Sequence, residues 1–174
     1  GAVDIGQGSN TVIPQICADA LGIPLDQFTF VGGDTGLTPD CGKTSGSRQT
    51  VVTGKAAALA GRALRETILR QSNLGPDASL RLDGKKLLIT DGNAHHEINL
   101  AELPSDANGY AFAAEETYDP PTTPLNEYGQ GKPYAVYGYG AHVVEVQVDR
   151  CLGTVKVLRV TAAHDVGRAI NPLL

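Results

Sequence analysis

At 174 residues the chain is long enough for one domain, and a domain of that size buries roughly 70% of the surface its unfolded chain exposes, so it should fold without staples. Fourteen Lys and Arg against nineteen Asp and Glu leave a formal net charge of −5, which argues against a broad nucleic-acid surface while allowing a local basic loop for a small anion. No run reaches the ~20 apolar residues of a membrane span, and Cys17, Cys41 and Cys151 show neither C-x-x-C spacing nor an even count, so a soluble protein of a reducing, cytoplasmic compartment is expected.

In chain order, Gly1 to Gly8 reads as a short strand delivering a tight Gly6-Gln7-Gly8 turn. A helix capped by Ser9, Asn10 or Thr11 follows. Its apolar positions Val12, Ile13, Ile16, Cys17, Ala20 and Leu21 lie on one face, Pro14 falls in its first turn, and Gly22 and Pro24 end it. Cys17 belongs to the packed face.

A second unit repeats the device. Gln27 to Val31 alternates like a strand and breaks at Gly32-Gly33-Asp34-Thr35-Gly36. The polar loop Cys41-Gly-Lys-Thr-Ser-Gly-Ser-Arg-Gln49 then opens the longest helix, Thr50 to Gln71. A helix N-terminus presents unpaired N–H groups, and Lys43, Thr44, Ser45, Ser47 and Arg48 add side-chain donors, so this loop is suited to a phosphate. A plain reading, in which Ser45 or Ser47 only caps the helix, stays open beside it. Gly54 and Gly61 each cost that helix about 1 kcal/mol against alanine, which close packing against a neighbour would explain.

Ser79 to Ile98 reads as a β-meander with turns at Asp83-Gly84 and Asp91-Gly92-Asn93. His95 and His96 face opposite sides of its third strand and are not expected to hold a metal. One helical turn is expected near Asn99 to Leu103, and a strand over Ala111 to Tyr118. Asp119 to Pro124 cannot be regular structure. A second Gly-Gln-Gly, Gly129 to Gly131, reads as a turn and leads by loop into the clearest β-signal, an antiparallel hairpin over Ala141–Asp149 and Val155–Thr161. Glu145, Gln147, Lys156 and Arg159 should share its exposed face. His142 and His164 are placed at strand ends, with nothing in the sequence bringing them together.

Named motifs mostly fail. Gly42-Lys43-Thr44 supplies the end of a Walker-type loop, but that motif needs glycine where Leu37 stands, one residue after Gly36. The first turn lacks the third glycine of a dinucleotide fingerprint. No nucleophile elbow, zinc-protease motif or paired carboxylates are present, so no catalytic residue and no metal ligand is assigned.

The segment Gly6 to Pro24, the Gly33-Asp34-Thr35 that follows, and the Thr44 to Gln49 loop opening an Ala-rich helix resemble the molybdenum-binding subunit of the molybdenum hydroxylases, the xanthine dehydrogenase and aldehyde oxidase family. Glu116 to Pro121, Gly140 to Asp149, Gly153 to Val160 and His164 to Pro172 match further segments of that family in the same order. The resemblance implies an α+β molybdenum-cofactor-binding domain over residues 1–174: two strand-loop-helix units, a meander and a C-terminal hairpin, all an internal piece of a larger subunit. It places Gly6, Gln7 and Gly8 against the pterin, and Thr44, Ser45, Gly46, Ser47, Arg48 and Gln49 at the phosphate of molybdopterin or of its cytosine dinucleotide. It further implies hydroxylation of an aldehyde or N-heterocycle with water as oxygen source, and iron–sulfur clusters and FAD in partner domains or subunits. The family's glutamate base lies in a Gly-Glu-Pro-like segment, and Glu115, Glu116, Glu127 and Glu145 do not sit in one, so the segment is expected to be inactive alone. A free-standing phosphate- or nucleotide-binding module without redox activity is the alternative.

Overall fold

The structure is a computed structural model and describes residues 1–172; Leu173 and Leu174, the end of the expected 1–174 span, lie outside the described residues. The chain forms two compact units, Gly1–Asp119 and Pro120–Leu174.

The first unit holds helices α1 (Ser9–Leu21) and α2 (Gln49–Ser72) and an antiparallel meander of β1 (Ser79–Asp83), β2 (Lys86–Asp91) and β3 (Ala94–Asn99). The mixed α+β class is as expected, but the strands of the two strand-loop-helix units do not form. Residues 1–8 bend without pairing, and Leu25–Gln27 is a single 3₁₀ turn followed by unpaired extended chain. Alternation at Gln27 to Val31 needs a neighbouring strand to become a ladder, and none lies alongside; Phe30 and Val31 are exposed. Ala111 to Tyr118 is likewise unpaired. Asn99 to Leu103 makes one hydrogen-bonded turn, Glu102 N–H to Asn99 O at 3.1 Å, and not a helix.

Helix α1 begins at Ser9, one of the residues expected to cap it, which places Pro14 inside it and not in the first turn. Its C-terminus ends as Gly22 requires, in the left-handed region, with the Gly22 and Ile23 N–H groups both on the Ala18 carbonyl. Helix α2 packs along α1 through its glycines. A Cβ on Gly61 would stand 2.8 Å from the Cys17 carbonyl oxygen and 3.0 Å from Ala20 Cβ, whereas one on Gly54 would meet only the tip of Ile16.

The core joins the C-terminal ends of both helices to one face of the meander: Leu21, Ile68, Leu69, Ala78, Leu80, Leu87, Ile89 and Ile98. Leu80 is opposite Ile89, and Leu87 opposite both Leu82 and Ile98, so the core residues stack across all three strands. The half-buried Arg65 of α2 ties the parts together, donating to the carbonyls of Leu21, Pro76 and Ala78. The core sits at the C-terminal ends of the helices, while at their N-terminal ends only Ser9 and Gln49 are buried and the loops before them are largely exposed.

The second unit is a hairpin of β4 (Tyr139–Asp149) and β5 (Thr154–Asp165), longer at both ends than predicted. Val146 pairs with Val157 but Glu145 with Arg159, so Leu158 is an extra residue, a β-bulge. Every residue of both strands is exposed.

Candidate functional site

The two loops proposed from sequence meet. Thr44 Oγ1 donates to the Val3 carbonyl at 2.9 Å, and Gln7 Nε2 donates to the same oxygen at 3.1 Å. Gln49, buried at the start of α2, donates through Nε2 to Thr44 Oγ1 at 2.8 Å and accepts from Thr53 Oγ1. A continuous chain of hydrogen bonds thus runs from the Gly-Gln-Gly turn to the first turn of α2.

Within this arrangement the predicted residues divide by what they have left to offer. The Gln7 amide is consumed by its own loop: Oε1 accepts from Ile5 N–H at 2.7 Å while Nε2 also reaches Ser9 Oγ at 3.1 Å. Gly6 and Gly8 have positive φ, 103° and 84°, with open space where a side chain would be. Thr44 and Gln49 are structural, holding one loop to the other. Arg48 folds back, its Nη1 on the carbonyls of Cys41 and Lys43 at 3.2 and 3.0 Å, and so stiffens the loop it belongs to. Ser45, Gly46 and Ser47 form the exposed tip. Gly46 and Ser47 take φ of 64° and 53°, the latter uncommon for a residue with a side chain.

Neither helix is capped as a plain capping reading requires. Helix α2 has Arg48 at its N-cap with no side-chain cap bond, so Ser45 and Ser47 do not cap it. Helix α1 has Gly8 at the N-cap, and neither Ser9, Asn10 nor Thr11 caps it. Asp4 does this work from outside, accepting Gly6 N–H at 2.8 Å and Asn10 N–H at 3.0 Å. The Asn10 and Gly6 amides hold the Asp4 carboxyl below its ordinary range. The N-terminus of α1 therefore already has a carboxylate, whereas that of α2 has no side-chain cap.

A groove of about 930 Å³ lies along α2 beside Arg48 and Cys41, floored by Val52, Ala56 and Ala60. Asp40, Asp106, Glu115, Glu116 and Asp119 line it, which repels an anion from its interior. The Ser45-Gly46-Ser47 tip and the first turn of α2, by contrast, carry no acidic residue. A second, apolar cleft of about 550 Å³, lined by Ile23, Phe28, Leu82 and Phe112, includes none of the candidate residues.

Sequence reasoning missed Asp4 although a signal was present. Asp4-Ile-Gly6, Asp34-Thr-Gly36 and Asp40-Cys-Gly42 share the pattern Asp-x-Gly, and in each the carboxylate takes the N–H two residues on at 2.8 Å. It also missed a contact in the hairpin: the His142 and His164 rings, assigned to strand ends, meet at Nε2···Nε2 3.0 Å. His95 pairs only with Thr90 Oγ1, at 3.3 Å. Among the described residues no group of three or more His, Cys, Asp or Glu side chains is placed to hold a metal ion, and no helix is long and apolar enough to cross a membrane.

The molybdopterin cofactor-binding domain, as a family model, matches residues 1–174. The chain belongs to that family. As a molybdopterin cofactor-binding domain it is similar to the carbon monoxide dehydrogenase large chain of Hydrogenophaga pseudoflava, 28% identical over 100% of this chain and 21% of that protein. It is 33% identical to the aldehyde oxidoreductase molybdenum-binding subunit PaoC of Escherichia coli K12, over 97% of this chain and 21% of PaoC. It is 28% identical to the putative xanthine dehydrogenase molybdenum-binding subunit XdhA of the same organism, over 100% of this chain and 23% of XdhA. The domain thus spans about a fifth of the length of these relatives. The family is that of the molybdenum-binding subunits of molybdenum hydroxylases, which are oxidoreductases. The donor set suits such a cofactor: an uncapped helix N-terminus, a serine-glycine-serine tip and two nearby cations match a phosphate, and the open glycines of the first loop admit a flat ring system.

Proposed function

We propose that this domain holds molybdopterin across its two joined loops, in a parent enzyme that hydroxylates an aldehyde or N-heterocycle carbon with oxygen from water. The phosphate lies at Thr44 to Gln49, on the N-terminus of α2, and the pterin lies against Gly6, Gln7 and Gly8. The observation that supports the reading is the shared Val3 carbonyl, which takes Gln7 Nε2 and Thr44 Oγ1 together and holds the two loops against each other.

Each wall has its own task. Ser45, Ser47 and the first N–H groups of α2 bind the phosphate oxygens, and Lys43 supplies positive charge beside them. Arg48 holds the loop in shape through Cys41 and Lys43 and presents the rest of its guanidinium to the ligand. Gly6 and Gly8 let the ring system approach the backbone. Bound, the cofactor supplies the molybdenum-centred two-electron oxidation. In the cytosine dinucleotide form both phosphates stay at the serine tip and the start of α2, and only the uncharged cytidine enters the acidic groove beyond Arg48. Iron–sulfur and flavin partners carry the electrons away, and the remainder of the molybdenum-binding subunit supplies the base and the substrate contacts, in the cytoplasm. The domain alone is inactive.

Titration of the ¹⁵N-labelled chain with pyrophosphate and with cytidine diphosphate tests the site. Shifts confined to residues 44–51 are expected, with at least tenfold weaker binding in Arg48→Ala. Shifts elsewhere, or an unchanged response in that variant, would overturn the assignment. Pyrophosphate and cytidine diphosphate binding with no affinity for molybdopterin would favour a nucleotide-binding module without redox activity. Hydroxylase turnover by the isolated chain reconstituted with cofactor would contradict its inactivity.

A further inference from the structure

The histidine pair of the hairpin has a geometry that its sequence spacing does not supply. Turnward of the bulge, Val148 pairs with Val155 and Val146 with Val157; beyond it, His142 pairs with Ala162 and Gly140 with His164. Side chains alternate faces along each strand, so a hairpin without the extra Leu158 would send His142 and His164 to opposite faces. The bulge shifts the register by one and puts both on the same face as diagonal neighbours. Their Nε2 atoms are 3.0 Å apart and their rings cross at 78° with centroids 5.0 Å apart.

Two further features leave this pair open to a ligand. Both rings are exposed, so the imidazole nitrogens are reachable from solvent. Opposite His164 stands Gly140, where a Cβ would come 3.1 Å from His164 Nδ1 and 3.4 Å from Cε1. A side chain at 140 would crowd the ring out of its position.

We propose that His142 and His164 form a two-histidine chelate for a divalent first-row transition-metal ion of the nickel–copper–zinc group. Imidazole nitrogen suits these ions, and zinc–nitrogen bonds of about 2.0–2.1 Å put two ligands about 3 Å apart at a right angle and about 3.3–3.4 Å apart at the tetrahedral angle. The observed separation of 3.0 Å meets the first value and reaches the second by small ring rotations. Water completes the coordination sphere, since no third protein ligand is placed nearby among the described residues. In the metal-free chain the contact is an N–H···N hydrogen bond. The ring carrying the proton on Nε2 moves to its Nδ1–H tautomer when the metal takes that nitrogen, so both Nε2 lone pairs face the ion. This site is distinct from the cofactor loops and does not depend on their assignment.

Zinc ion added to the 174-residue chain tests it. Isothermal titration is expected to show one saturable site, at least tenfold weaker in His142→Ala and in His164→Ala and within twofold of the parent in the double variant His95→Ala/His96→Ala. Gly140→Ala should weaken binding severalfold while leaving both ligands in place. Long-range ¹H–¹⁵N spectra of the unmodified chain give a readout that needs no variant: the Nε2 signals of His142 and His164 should move together. Absence of saturation, unmoved Nε2 signals at those two residues, or loss of binding only with His95 and His96 would show a hydrogen bond alone and overturn the proposal.

Discussion

Thr44 Oγ1 donates to the carbonyl of Val3, 41 residues earlier, at 2.9 Å and accepts from the Val3 N–H at 3.4 Å, which closes the first loop onto the second. The same hydroxyl accepts from the buried Gln49 amide at 2.8 Å. Replacing Thr44 with Val keeps the shape, removes the donor and leaves the Gln49 amide without that acceptor. A loss of about 1–2 kcal/mol in urea denaturation is expected, since an unsatisfied buried polar group costs about 1–3 kcal/mol. Thr44→Ser should retain most of the stability. Binding of pyrophosphate should weaken in the Val variant and survive in the Ser variant.

Gly54 and Gly61 lie on the same helix and should respond oppositely to alanine. At either site alanine improves helix propensity by about 1 kcal/mol. At Gly61 the added methyl meets the Cys17 carbonyl and the Leu21 amide, which are backbone atoms of α1 and cannot step aside. Overpacking there costs about 1–3 kcal/mol, so Gly61→Ala should be net destabilising. At Gly54 it meets the Cδ1 end of Ile16, which can change rotamer. Gly54→Ala should be neutral or stabilising in the same thermal melt.

Asp4 gives the chain a defined acid response. Its folded-state pKa is depressed, chiefly by the Asn10 and Gly6 amides. A depressed carboxyl contributes stability above its unfolded pKa, and that contribution is lost as pH falls through the folded value. The urea midpoint should therefore drop as pH falls below the ordinary Asp value of about 3.9. Asp4→Asn should lower the midpoint at neutral pH and flatten this part of the profile. An unaltered profile in the variant would count against the carboxylate as the cap of α1.

The cysteines should separate by reactivity. Burial pushes the Cys17 thiol up, whereas Cys151 is exposed in the turn between β4 and β5. Thiolate is the reacting form and the reagent must reach it, so at pH 8 a disulfide reagent should modify the exposed Cys151 at least tenfold faster than the partly buried Cys17. Comparable rates would show that α1 opens readily.

What the sequence made legible follows from how local each cause is. Helices α1 and α2, the meander and the hairpin announce themselves by spacing and turn residues, because Gly22, Asp83-Gly84 and Asp91-Gly92 act on their own neighbours. The candidate loops were also legible, being written in consecutive residues. The strands expected at Gly1 to Gly8, Gln27 to Val31 and Ala111 to Tyr118 were not, because a strand exists only when another lies beside it. Nor could spacing show that Asp4 reaches Asn10, or that one added residue at Leu158 brings His142 to His164. That extra residue also explains how Lys156 and Arg159, three apart, come to share a face with Gln147 and Glu145, their cross-strand partners.

The atom on which both loops close, the Val3 carbonyl oxygen, belongs to the main chain. No replacement of the Val3 side chain can delete it, and that side chain is half exposed. In a saturation library scored for folding, position 3 should accept a wide alphabet while positions 7 and 44, whose side chains must reach the oxygen, accept few letters. Mutational tolerance would then be lowest at the residues that point toward the junction and high at the residue that provides it.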